Sequence, residues 1–158
     1  MEANYIKIMV ESLEKKRDIL EQIIELNRQQ KLLLQDPNLL PDDFEKNMEY
    51  KSQQVDRLGL LDAGFEELYA KVRDTLNENR AQYADEIQKM QSLIKDITAK
   101  TNTVQTQEAR NREEASRKFA DVREQVKGVR NSQKVVKQYY QTMMKQQTYS
   151  PQVIDNKK

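Results

Sequence analysis

Apolar residues recur along this chain in steps of three and four, the spacing that lines one face of an α-helix. Over residues 5–35 they fall at Ile6, Met9, Leu13, Leu20, Ile23, Leu26 and Leu34, with no helix breaker among them, which predicts a first helix. The segment Asp36-Pro37-Asn38-Leu39-Leu40-Pro41 follows, and its two prolines cannot continue a helix. A second stripe runs through Phe44, Met48, Val55, Leu58, Phe65, Tyr69, Val72 and Leu76 and predicts a helix over 42–77. Asp42 as N-cap with Glu45 three residues later would form an acidic capping box. Gly59 and Gly64 lie inside this stripe. Each costs up to about 1 kcal/mol in a helix, so a kink or a close helix approach is expected there.

Asn77-Glu78-Asn79 is the best candidate for the second turn, although it contains neither Gly nor Pro. The pattern then resumes at Tyr83, Ile87, Met90, Ile94, Ile97, Val104, Phe119, Val122, Val126, Val129, Val136, Tyr140 and Met143. A helix over 80–146 would hold roughly 65 residues and measure about 100 Å at 1.5 Å per residue. Its weakest stretch is Thr98–Thr106, with four threonines and an asparagine, and a break there would give four helices. The fold class is therefore all-α, an elongated antiparallel bundle of three or four long helices with coiled-coil-like packing. Residues 1–148 form a single domain on this reading, and 149–158 a flexible tail.

Composition narrows the chemistry. Of 158 residues, 34% are charged and 37% hydrophobic, which suits helices that bury one stripe each. The chain has neither cysteine nor histidine. Ser-His and Cys-His catalysis, thiolate sites and His-based zinc sites are thereby excluded. Gly59, Gly64 and Gly128 cannot form a phosphate loop. Acidic pairs such as Asp42/Asp43 and Glu113/Glu114 read as solvated helix faces, so neither a metal nor another cofactor is expected. The expectation is a protein that is not an enzyme.

The net charge of +1 offers no overall basic bias for nucleic acid. Residues 125–147 lack acids and form a local basic end, read as contact with an acidic partner or as a solubility feature. Met1-Glu2-Ala3-Asn4-Tyr5 does not begin a secretory signal, and no apolar run is long enough to span a bilayer. A cytoplasmic protein is expected.

Counting outward from turns near 38.5 and 79.5 sets the helices level with one another. Lys16 then falls beside Asp62, and Lys51 beside Glu108, with Asn27 near the same height. Charges inside an apolar stripe need partners, because a lone buried charge costs several kcal/mol. Snorkelling of the lysine stems to solvent is the alternative. The same counting exhausts the first helix and the start of the second near residue 118. Apolar positions nevertheless continue at Phe119, Val122, Val126, Val129, Val135, Val136, Tyr139, Tyr140, Met143 and Met144. A stripe left without a partner in its own chain is an expected interaction surface, for a client helix or for a second copy in a homodimer.

Several segments resemble FlgN-type flagellar export chaperones. They are Ser12-Leu13-Glu14-Lys15-Lys16-Arg17-Asp18-Ile19-Leu20, Leu58-Gly59-Leu60-Leu61-Asp62-Ala63-Gly64-Phe65, Tyr83 to Ile97 and Gln107-Glu108-Ala109-Arg110-Asn111. The ending, Tyr139-Tyr140 and then Ile154-Asp155-Asn156-Lys157-Lys158, is similar to members from Gram-positive bacteria. FliT-type chaperones are a related alternative. The resemblance implies a cytoplasmic chaperone of type III flagellar secretion. Such a protein binds the C-terminal helical segments of hook–filament junction proteins and passes them to the flagellar export gate. Client binding by the last helix then maps onto Phe119, Val122, Val126, Val129, Val136, Tyr139, Tyr140 and Met143. The competing reading is a structural coiled-coil protein that self-associates through its C-terminal helix.

Overall fold

The computed structural model describes residues 2–122, the side chains of 3–120 among them. Three α-helices account for nearly all of this stretch: α1 (Glu2–Gln35), α2 (Pro41–Glu78) and α3 (Ala84–Val122). No strand occurs among the described residues. The predicted apolar stripes supply the core. Ile6, Met9, Leu13, Leu20 and Ile23 of α1 are buried with Val55, Leu58, Phe65, Tyr69, Val72 and Leu76 of α2 and Met90, Ile94, Ile97 and Val104 of α3.

α1 packs closely on both other helices, while the α2 and α3 backbones stand further apart. Long side chains bridge that wider gap: Lys51 of α2 reaches Glu108 of α3, and Phe44 meets Phe119 edge-on with ring centroids 5.2 Å apart. α2 runs antiparallel to α1, which brings α3 back parallel to it. The α1–α3 pairs keep a near-constant offset, as Asn27 with Asn111 and Lys118 with Leu34 show.

The helix ends depart from expectation in their chemistry. Asp42 is not the N-cap of α2. Pro41 occupies the first turn and Leu40 precedes it in an extended conformation with no side-chain cap. Proline suits that position because its missing N–H would have had no helical partner. Asp42 and Asp43 instead sit in the first turn, where their charge favours the helix N-terminus. Asp36 organises the turn before it by accepting the Asn38 N–H at 2.8 Å.

The second turn is longer than Asn77-Glu78-Asn79, so α3 begins at Ala84 and not near 80. Asn79 closes α2, its backbone N–H and its side-chain amide both donating to the Thr75 carbonyl. α3 then runs unbroken through Thr98–Thr106. Thr103 and Thr106 turn their hydroxyls back to the carbonyls of Ala99 and Asn102.

α2 is continuous through both glycines. At Gly64 a methyl group would meet nothing within 4 Å, so close helix packing does not explain that glycine. Gly64→Ala is expected to stabilise the protein by about 0.5–1 kcal/mol through backbone entropy. Urea denaturation would register this as a higher midpoint at unchanged slope.

Candidate functional site

The stripes of all three helices turn polar at one height. There α1 contributes Asn27 and Gln30, α2 contributes Asn47 and Lys51, and α3 contributes Gln107, Glu108 and Asn111. Except for Gln107, which is partly buried, all of these are buried, and Gln30 and Lys51 are wholly inaccessible.

Gln30 is the hub. Its Oε1 accepts from Lys51 Nζ and from Asn111 Nδ2, each at 3.1 Å, and its Nε2 donates to Asn47 Oδ1. Lys51 Nζ also lies 2.8 Å from Glu108 Oε1. The amides fasten the layer to the backbone of α1: Asn47 donates to the Leu26 carbonyl, Asn111 to Asn27 and Gln107 to Ile24. Asn27 Oδ1 is among the buried acceptors without a hydrogen-bond partner among the described residues.

A second ion pair lies further along α1, where Lys16 Nζ sits 2.7 Å from Asp62 Oδ1. Neither lysine snorkels to solvent, since Lys16 and Lys51 are both buried. Burial pushes both ammonium groups below the usual lysine value of 10.5, against the opposing pull of Asp62 and Glu108. Burial likewise holds the Asp62 carboxyl above 3.8, with Lys16 opposing.

Between the lowered lysine pKa and 10.5, the unfolded chain binds more protons than the folded one. Stability should therefore rise with pH across that window, as the cost of burying a charged lysine disappears. Asp62 has the opposite sign: its contribution is largest below 3.8 and falls as pH rises through the raised value. Urea midpoints measured as the pH rises toward 10.5 should climb in the wild type and climb less in Lys16→Met. Identical slopes would mean that Lys16 titrates alike in both states.

The remaining site residues divide at the end of α3. Phe119 is not part of an unpartnered stripe: it is buried and packs against Phe44. The first helix and the turn reach slightly further than counting from residue 38.5 implies, because Lys118 Nζ donates to the carbonyls of Leu34 and Asp36. Val122 ends α3 as described, without a described side chain. Val126, Val129, Val136, Tyr139, Tyr140 and Met143 lie outside the described residues, as does the acid-free basic end.

No group of acidic residues is placed to hold a metal ion among the described residues. A cleft of about 30 Å³ beside the second turn, lined by Tyr69, Leu76, Arg80 and Met90 among others, has room for little more than water. None of the described helices is long and apolar enough to cross a membrane. No family model matches the chain, and no curated protein or solved structure matches it either.

The polar layer as a whole was not anticipated from sequence. Its signal was present, because Asn27, Gln30, Asn47 and Asn111 fall where the three- and four-residue spacing calls for apolar side chains.

Proposed function

We propose that this protein is a non-catalytic, cytoplasmic chaperone that covers an amphipathic helical segment of a client protein. The family resemblance suggests that the client is a hook–filament junction protein and the destination the flagellar export gate. One observation carries the reading. At Lys118 the third helix is level with the last turn of α1, so little of the first helix is left to pair with it, yet apolar positions continue in the sequence at Val122, Val126, Val129, Val136, Tyr139, Tyr140 and Met143.

A client segment prone to coiled-coil assembly needs a substitute partner for its seam. A stripe of Val, Tyr and Met provides one: valine and methionine supply apolar area, methionine adapts to irregular surfaces, and tyrosine carries a polar end. Such shielding requires no nucleotide. Phe119 is left out of this contact set because its ring is already taken up by Phe44.

The test is to titrate the full chain with a labelled peptide from the C-terminal helical segment of a junction protein. A complex of fixed stoichiometry is expected, lost when Val126→Asp and Val136→Asp are introduced together, with the helical signal unchanged. A chain that ignores the peptide and self-associates through the same positions would point to a structural coiled coil instead.

A further inference from the structure

We propose that the polar layer divides the bundle into two units of unequal stability, and that the smaller one, at the tip beyond the layer, opens on its own. This goes beyond the proposed function and does not depend on it. Among the described residues, the buried apolar side chains on the tip side are Leu34, Phe44, Ala115 and Phe119, while Met48 lies in the layer itself against Gln30. The other described ones lie on the far side of the layer, so the two units, as described, differ severalfold in buried apolar content. Stability in a helical bundle follows that content, and regions poor in it open at lower free energy.

The boundary has its own chemistry. Splitting the bundle at an apolar level only loses contacts. Splitting it at the layer returns Lys51, Glu108 and several amides to water, and recovered hydration offsets part of the loss. The tip is held by the Phe44–Phe119 contact and by the Lys118 ammonium on the carbonyls that end α1. Opening would present Phe44 and Phe119, both otherwise in the core.

Hydrogen exchange on the full chain tests this, under conditions where exchange follows the opening equilibrium. Amides of 45–48 and 112–119 should exchange about tenfold or more faster than those of 69–76 and 90–97. Phe119→Ala should accelerate 45–48 on α2 as well as its own helix, which fraying of one helix end would not do. Val72→Ala, in the larger unit, should accelerate 90–97 about tenfold while leaving 45–48 and 112–119 unchanged. Equal protection on the two sides, or tip amides that accelerate in step with the core in Val72→Ala, would overturn the proposal.

Discussion

Replacing Lys51 with methionine should cost the protein about 3–5 kcal/mol, although the substitution adds an apolar side chain to a buried position. The loss comes from what remains behind. Glu108 would keep its carboxylate in the interior without the ammonium now 2.8 Å away, and Gln30 would lose one of the two donors on its Oε1. Removing both charges, as in Lys51→Met with Glu108→Leu, should recover most of the loss, since an apolar pair of similar volume has no charge to desolvate. Urea denaturation of the wild type, both single variants and the double variant closes the cycle. Additive losses would mean that the two side chains contribute independently of one another.

Ile23→Ala should lower global stability by about 2–5 kcal/mol, the usual cost of a large-to-small change in a fully buried core. Phe44→Ala removes a larger side chain that is as well buried, at 1% exposure against 0% for Ile23. It should nevertheless shift the global midpoint less. Once the tip of Phe44→Ala is open in the native ensemble, further loss there no longer counts against the rest of the bundle. The decisive comparison is the two midpoint shifts together with the denaturant slope of Phe44→Ala, which should fall because less surface remains to be exposed. A Phe44→Ala loss larger than that of Ile23→Ala, at unchanged slope, would show one cooperative unit.

Much of this architecture was legible from spacing alone. Three helices followed from the stripes, and the first turn followed from Pro37 and Pro41. Counting in equal steps from the turns reaches both Lys16–Asp62 and Lys51–Glu108, because helices of equal rise keep level residues level. The details that failed were local. Asp42 reads as a cap by composition, but Pro41 already occupies the helical position before it, and φ fixed by the proline ring starts the helix one residue early. Thr98–Thr106 reads as a break by propensity, yet Val104 and Thr101 are buried there, and tertiary packing outweighs a few tenths of a kcal/mol per residue. The role of Phe119 turned on whether the hairpin ended one turn earlier or later, which no sequence pattern fixes to that accuracy. The hydrogen bonding around Gln30 was illegible because each amide there reads, singly, as an imperfection in the stripe.

Gln30 also constrains how a chain of this design can change in length. Its partners sit on both other helices, so deleting one or two turns from α1 alone, on the side toward Lys16, would carry one ion pair out of step with the other. Between the layer and the Lys16–Asp62 level, insertions and deletions are tolerable only when all the helices crossing that interval change together. Length can otherwise vary at the turns around 36–40 and 79–83. A chain built this way can lengthen its turns while the spacing inside its bundle stays locked.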